Sequence, residues 1–233
     1  MTETKPRIGI LKTGHAPDVV LGELGDYDAM FARLLAGEGF AFDAYDVVDG
    51  VFPTGAEAAD GWLITGSRHG AYEDHPWIPP LERLIREIRR AERPLVGVCF
   101  GHQIVAQALG GTVVRHPGGW RVGATRYEID GQPYTLNAWH QDQVTRAPPG
   151  VEVVGRAEGC AIAALRGGPR LFTVQPHPEF DRTMMERLIE HRAPGVVPDQ
   201  LRDRARDRLD APTNHAAIAR TIAATLSKGT SNV

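Results

Sequence analysis

A cysteine placed between two glycines is the first feature of this sequence that predicts chemistry. Residues 97–101 read Gly-Val-Cys-Phe-Gly, the cysteine counterpart of the pattern that holds a nucleophilic serine on a sharp turn between a strand and a helix. The turn is tight, so the residues two positions before and after the nucleophile must be small. The following helix would direct its N-terminus at Cys99, which favours the thiolate, and the N–H of Phe100 would donate to an oxyanion. The alternative is a buried cysteine that serves only packing.

A thiolate nucleophile also needs an acid–base group and a residue that orients that group. Residues 173–180, Thr-Val-Gln-Pro-His-Pro-Glu-Phe, offer both in His177 and Glu179. Prolines on either side of His177 exclude a helix, so the two side chains of this extended segment can leave on the same side. His177 would take the proton of Cys99 and deliver it to a leaving amine, while Glu179 would fix the tautomer and stabilise the imidazolium. The alternative is a surface turn with a solvated His–Glu pair.

The first half of the chain predicts the elements that would position these residues. Apolar runs of strand length alternate with segments of helical periodicity, which favours a parallel sheet covered by helices on both faces. The run 94–98 reads as a fully buried strand that ends at Cys99. The predicted strands are 7–11, 41–48, 61–67 and 94–98, and the predicted helices are 26–40, 76–90 and 100–109.

The second half changes its pattern. Between about 112 and 175, short strands separated by Gly and Pro turns predict an antiparallel excursion before the last core strand, and helices return at 181–192 and 214–226. We therefore predict an α/β fold with a mostly parallel central sheet, helices on both faces and an antiparallel strand excursion. Residues 1–192 are predicted to form the domain, and residues 193–233 a C-terminal helical extension packed on it.

Composition and charge exclude several classes of function. With 42% apolar and 24% charged residues, the 233-residue chain has the profile of a globular rather than a disordered protein. Its net charge of −3 gives no reason to expect nucleic acid or an acidic membrane as partner. The polar start is no secretory signal, and two cysteines are too few for a disulfide framework. We expect a cytoplasmic protein with reduced thiols.

No pattern predicts a metal or a cofactor. His69, His75 and His116 lack the spacing of a metal site. The first strand is not followed by G-x-G-x-x-G, which argues against a dinucleotide oxidoreductase, and no P-loop indicates ATP binding. We therefore expect the chemistry to depend on side chains and backbone alone.

The two motifs together resemble the class I glutamine amidotransferase domain with a cysteine–histidine–glutamate triad. The resemblance rests on GVCFGHQ and QPHPE in this order, with LITGSRHG before them and HQDQV (140–144) between them, and it covers roughly residues 45–192. It implies a flavodoxin-like fold and hydrolysis of a γ-glutamyl amide through a thioester on Cys99, releasing ammonia or an amine. The stretch 65–78 is more similar to the stand-alone, GMP synthase-like branch, to which plant γ-glutamyl peptidases belong.

The resemblance also implies roles for individual residues. Gln103 matches a substrate contact four residues after the nucleophile, and residues 118–123 match a stretch whose backbone contacts the α-amino and α-carboxylate groups of the substrate. The implied site residues are the triad Cys99, His177 and Glu179, the oxyanion-hole donors Gly66 and Phe100, and the substrate contacts Gln103, Trp120 and Arg121.

Four further residues have simpler interpretations. Cys160 is expected to pack in a strand. His102 is expected to be structural, the alternative being that it lines the site. His140 and Asp142 are expected to order a loop near the site, the alternative being a direct catalytic role.

The leading hypothesis is an enzyme that acts on glutamine or another small γ-glutamyl compound. Only about forty residues follow position 192, too few for a synthetase domain that would use the ammonia. Ammonia would then pass to a synthetase in trans, or the chain would act alone. One alternative is a catalytically silent binding or regulatory module on the same fold, which the filled triad positions disfavour. The other is a cysteine-dependent hydrolase of an unrelated substrate.

Overall fold

The computed structural model describes residues 5–229 of the chain. The first half contains β1 (Arg7–Leu11), α1 (Asp18–Leu24), α2 (Tyr27–Leu34), β2 (Ala41–Tyr45), β3 (Gly61–Ile64), α3 (Ile78–Arg90), β4 (Leu95–Val98) and α4 (Phe100–Ala108). The second half contains β5 (Thr112–Arg115), β6 (Arg121–Ile129), β7 (Gln132–His140), β8 (Asp142–Arg146), β9 (Glu152–Ala157), β10 (Cys160–Arg166), β11 (Leu171–Val174), α5 (Arg182–His191), α6 (Asp199–Asp207) and α7 (His215–Leu226). None of the helices between residues 5 and 229 is long and apolar enough to cross a membrane.

Nine strands form one central sheet in the order β2-β1-β3-β4-β11-β10-β9-β6-β7. The strands from β2 to β11 pair in parallel. The remaining pairings, from β11 through β10, β9 and β6 to β7, are antiparallel. The predicted fold class is therefore confirmed, and the antiparallel excursion extends the central sheet at one edge. The short strands β5 and β8 pair separately.

Side-chain alternation on β4 explains how helices cover both faces of this sheet. Leu95 packs into an apolar cluster with α3 and α4, whereas Val96 and Val98 point to the opposite face and pack with α2 and α7. The predicted apolar face of α3, formed by Leu81, Leu84, Ile85 and Ile88, is buried in the first cluster. The sheet thus has a core on each side, as the alternation of strands and helices predicts.

The last described helix lies in the core of the domain. Ile218, Ile222 and Leu226 of α7 are buried in the same cluster as the central strands, and Gly123 of β6 lies against Ala205 of α6. We propose that residues 193–229 belong to the domain formed by the preceding chain, while residues 1–4 and 230–233 of the predicted ranges lie outside the described residues.

Two predicted helix boundaries were wrong. The helix predicted at 26–40 ends at Leu34, before Gly37, which has a positive φ of 90°. The helix predicted from residue 76 begins at Ile78 and carries two prolines in its first turn. Proline is tolerated there because the N–H groups of the first turn have no acceptor within the helix. Neither shift moves the strand ends that carry the candidate site, because β4 and β11 end next to Cys99 and Gln175 as expected.

Candidate active site

Cys99 occupies a strained turn between β4 and α4. Its backbone angles are φ 54° and ψ −104°, a combination that residues with a Cβ rarely adopt. A Cβ on Gly97 would lie 2.4 Å from the carbonyl oxygen of Gly101, and a Cβ on Gly101 would lie 2.3 Å from the carbonyl oxygen of Ile64. Backbone therefore packs directly on backbone at both glycines, which is the steric requirement of a nucleophile turn.

Two neighbouring elements fix the position of the Cys99 sulfur. The N–H of Cys99 donates to the carbonyl of Val174 at the end of β11, which ties the turn to the adjacent parallel strand. Helix α4 starts at the next residue, so its unpaired N–H groups and positive dipole end lie beside the thiol. The parallel strands β3, β4 and β11 also end here, at the edge of the sheet where α/β folds bind ligands.

His177 and Glu179 form a buried pair. His177 Nδ1 lies 2.7 Å from Glu179 Oε1, and the side chains are 4% and 0% exposed respectively, so the alternative of a solvated surface pair is wrong. The edge strand β7 anchors the segment: the N–H of His177 donates to the carbonyl of Asn137, and Asn137 Nδ2 donates to the carbonyl of Phe180. Sequence reasoning missed Asn137, because its role depends on a contact between distant parts of the chain.

Gly66 lies against two of the proposed triad residues, Cys99 and His177. A Cβ on Gly66 would be 3.0 Å from His177 Cε1 and 3.7 Å from Cys99 Cβ. Because Nδ1 is bonded to Glu179, Nε2 is the nitrogen of His177 that remains free, and no hydrogen-bond partner for it lies within the described residues. Burial lowers the pKa of His177, but the proximity of Cys99 and Glu179 outweighs it and raises the pKa to about 10. The geometry therefore favours an imidazolium at neutral pH.

An aromatic stack holds the ring of His177. The Phe180 ring is parallel to the imidazole within 6°, with 3.9 Å between the ring centroids. Tyr27 stacks on Phe180 at 6.3 Å, and Asp26 caps the helix that carries Tyr27. Sequence reasoning assigned no role to these aromatic residues, although Phe180 stands one position after Glu179 in the motif and was therefore within reach.

We expect Phe180→Leu to weaken the imidazolium at His177 while keeping an apolar side chain. An aromatic face stabilises a cation by about 0.5–2 kcal/mol, so the pKa of His177 should fall by up to about 1.5. The rate of alkylation of Cys99 by iodoacetate, an anion that the imidazolium attracts, should then begin its alkaline decline at a lower pH. Phe42→Leu, on β2 at the far edge of the sheet, is the matched control. Identical pH profiles for the two variants would contradict the role of the stack.

The two predicted oxyanion donors have free N–H groups beside Cys99. The carbonyl of Gly66 accepts hydrogen bonds from the hydroxyls of Thr13 and Thr65 at 3.0 and 3.1 Å, which fixes the orientation of the loop. Within the described part of the chain, the N–H groups of Gly66 and Phe100 donate to no backbone or side-chain acceptor. Such unpaired donors suit an oxyanion that forms only during the reaction.

A pocket of about 510 Å³ opens beside Cys99 and contains Gln103 in its lining. Gln103 Nε2 donates to the carbonyl of Asp142 at 2.9 Å and to Gln175 Oε1 at 3.2 Å. Its side-chain nitrogen is thus engaged by the protein, and its oxygen is the atom left for a substrate N–H. Gln103 therefore lies on the Cys99 pocket, and its contact with substrate stays a prediction.

The other two predicted substrate contacts, Trp120 and Arg121, lie at different cavities. Trp120 lines the Cys99 pocket and packs edge-to-face against Trp139 at 6.0 Å. Arg121 does not line it: its Nε donates to the carbonyl of Gly159, and its side chain lies along a different cavity. The structure therefore brings Trp120 to the site and keeps Arg121 away from it.

His140 is a buried, neutral acceptor in the wall of the pocket. Burial lowers its pKa to about 3, and its Nδ1 lies 3.2 Å from the carbonyl of Asp142. A carbonyl only accepts, so Nδ1 carries the proton and Nε2 presents a lone pair. That lone pair has no partner among residues 5–229. The expected contact between His140 and Asp142 is present.

His102 and Cys160 have structural surroundings. His102 is buried, its two ring nitrogens lie 2.8 Å from Thr173 Oγ1 and 3.2 Å from the carbonyl of Ile162, and burial lowers its pKa to about 4. Cys160 is fully buried, and burial raises its pKa to about 11. Both cysteines are free thiols, but only Cys99 lies on the pocket.

Comparisons with known proteins agree with this geometry. The model of the class-I glutamine amidotransferase family matches residues 54–192. The chain is 30% identical over 171 residues to a glutamine amidotransferase-like protein of Schizosaccharomyces pombe, covering 69% of each chain. It is 30% identical over 182 residues to gamma-glutamyl peptidase 4 of Arabidopsis thaliana, covering 71% of this chain and 72% of the peptidase. The crystal structure of a glutamine amidotransferase from Methylobacillus flagellatus has a TM-score of 0.75 and 25% identity, over 97% of this chain and 96% of that one. The chain therefore belongs to the class-I glutamine amidotransferase family.

Proposed function

We propose that this protein hydrolyses γ-glutamyl amide bonds with Cys99 as the nucleophile, His177 as the acid–base group and Glu179 as the residue that orients it. The observation that carries the proposal is the buried His177–Glu179 pair, 2.7 Å apart, next to a cysteine on a strained strand-to-helix turn. The family membership supports the same reaction class.

The proposed reaction has two steps. The Cys99 thiolate attacks the γ-carbonyl carbon, and the oxyanion accepts hydrogen bonds from the N–H groups of Gly66 and Phe100. His177 donates a proton from Nε2 to the leaving nitrogen, the C–N bond breaks, and a γ-glutamyl thioester remains on Cys99. His177 then takes a proton from water, the hydroxide attacks the thioester, and glutamate leaves as the thiolate is restored.

The size of the pocket favours substrates larger than glutamine. Its volume of about 510 Å³ lies in the range of about 300–1,000 Å³ typical of pockets for drug-sized ligands, and glutamine is far smaller. One relative is named gamma-glutamyl peptidase. We infer that the chain acts on γ-glutamyl compounds whose leaving amine is larger than ammonia, without a synthetase partner. Transfer of ammonia to a synthetase in trans is the competing arrangement.

A mechanism-based label tests the proposed nucleophile. An electrophilic glutamine analogue should add one label to the chain, detected by intact-mass spectrometry, because the γ-position of the analogue meets the Cys99 thiolate. Cys99→Ala should abolish the label. Cys160→Ala, the matched control, should keep it, because Cys160 is buried away from the pocket. A label that survives in Cys99→Ala would overturn the assignment.

The same preparation tests the substrate. The purified chain should hydrolyse a γ-glutamyl dipeptide with a higher kcat/KM than glutamine, measured by release of free glutamate. Turnover that appears only after an ammonia-using synthetase is added would instead favour the partner arrangement.

A further inference from the structure

Three side chains capable of binding a metal ion meet at the rim of the Cys99 pocket, outside the proposed triad. His69, Glu73 and His75 lie on the loop between β3 and α3, and their ligand atoms are all within 4.8 Å of one another. Glu73 Oε2 lies 2.7 Å from His75 Nε2 and 3.4 Å from His69 Nδ1. The sequence spacing of the two histidines gave no reason to expect this cluster, which only the loop conformation creates.

The donor set is that of a zinc-type ion. Two imidazole nitrogens and one carboxylate oxygen are a frequent three-residue set for zinc, with a fourth position left open. Bonds of about 2.0–2.2 Å in tetrahedral geometry place ligand atoms roughly 3.3–3.6 Å apart. Small side-chain rotations of His69, Glu73 and His75 therefore suffice to reach this tetrahedral geometry.

The loop holds these side chains in place before any ion binds. The centroids of the two imidazole rings are 4.2 Å apart, and the ring centroid of the buried Trp77 lies 5.9 Å from each of them. The N–H of Glu73 donates to the carbonyl of Gly70, and the N–H of Ile78 donates to the carbonyl of His75. The second bond ties the loop to the start of α3. Little ordering is then required on binding, so the ligand geometry is preorganised.

A second group of possible ligands is less suited to a cation. His15, Asp46 and Asp49 also lie within ligand distance of one another. However, the ammonium of Lys12 is 2.7 Å from Asp46 and already supplies the positive charge. At the rim cluster, Arg68 Nε lies 3.5 Å from His69 Nε2, the ring nitrogen that does not face Glu73.

We propose that His69, Glu73 and His75 bind a divalent transition-metal ion of the zinc class at the rim of the catalytic pocket. His69 and Glu73 line the same pocket as Cys99, and their loop begins at the proposed oxyanion donor Gly66. A bound ion narrows the pocket entrance and lowers turnover, a consequence that rests on the proposed function. Binding requires imidazole lone pairs, so it releases protons and weakens as pH falls.

The binding test uses the full chain without a polyhistidine tag and with Cys99→Ala, which removes the pocket thiol as a competing ligand. Titration with Co²⁺, followed by its visible absorption, should show one tight equivalent that Zn²⁺ displaces. His75→Ala and Glu73→Gln in this background should weaken Co²⁺ binding at least about tenfold. His15→Ala, the matched control at the second group, should leave binding unchanged. Co²⁺ binding that His15→Ala weakens, or that no rim variant weakens, would overturn the site.

The inhibition test uses the chain with Cys99 intact. His75 does not line the pocket, so His75→Ala should keep its turnover in metal-free buffer but require at least about tenfold more Zn²⁺ for half inhibition. Equal inhibition of both proteins would place the inhibitory ion on Cys99 and overturn the rim effect. A parent chain without turnover would instead contradict the proposed function, and the Co²⁺ titration of Cys99→Ala would still decide the site.

Discussion

Replacing His177 with alanine is expected to lower kcat for γ-glutamyl hydrolysis by about 10³-fold or more. The substitution removes both the acid–base partner of Cys99 and the proton donor for the leaving amine. The measurement is steady-state release of glutamate from a γ-glutamyl dipeptide.

Glu179→Gln separates orientation from proton transfer. Glutamine can still accept the Nδ1–H bond, but a neutral acceptor loses about 1–2 kcal/mol relative to a charged one, so kcat should fall only about tenfold. The loss of the carboxylate should also lower the pKa of His177 from about 10, which moves the alkaline limb of Cys99 alkylation to lower pH. Glu179 acts through His177, so the double variant should be no slower than His177→Ala. Additive losses would contradict that relation.

Gly101→Ala is expected to destabilise the fold by at least about 3 kcal/mol. Its Cβ would overlap the backbone carbonyl of Ile64 at 2.3 Å, and no rotamer change relieves a clash between two backbones. Either α4 moves away from β3, which displaces Cys99, or the protein unfolds. The measurement is the urea midpoint of unfolding, followed by circular dichroism.

Gly22→Ala is the matched control for that prediction. Gly22 lies within α1, and a Cβ placed there meets nothing within 4 Å. Alanine should therefore stabilise the protein by about 0.5–1 kcal/mol through its higher helix propensity. A Gly101→Ala protein as stable as the parent would mean that α4 does not pack on β3 as described.

The parts of the site that sequence could predict are those with local requirements. The turn around Cys99 needs glycines at fixed positions, and all of these lie within five residues, so the sequence alone indicates the nucleophile. His177 and Glu179 are likewise two residues apart in a stretch where prolines exclude a helix. The fold class could be predicted for a similar reason, because the spacing of apolar residues within each segment indicates whether it forms a strand or a helix.

The parts that sequence could not predict depend on contacts between distant segments. Asn137 anchors the base only because the end of β7 reaches residue 177, and nothing near residue 137 indicates that contact. Trp120 and Arg121 are adjacent in sequence but lie at different cavities, because Trp120 belongs to the preceding loop and Arg121 is the first residue of β6. His69 and Glu73 are four residues apart and Glu73 and His75 two, but this stretch forms neither a helix nor a strand, so only the loop conformation brings the three together.

The backbone conformation at Cys99 also bears on attempts to engineer this protein. Strain of that kind costs on the order of 1–3 kcal/mol, and it falls on the proposed nucleophile. Glycine adopts φ 54° without penalty. A screen for heat resistance alone would therefore reward glycine at position 99 and discard the enzyme, so directed evolution of this scaffold has to select for turnover and thermal tolerance together.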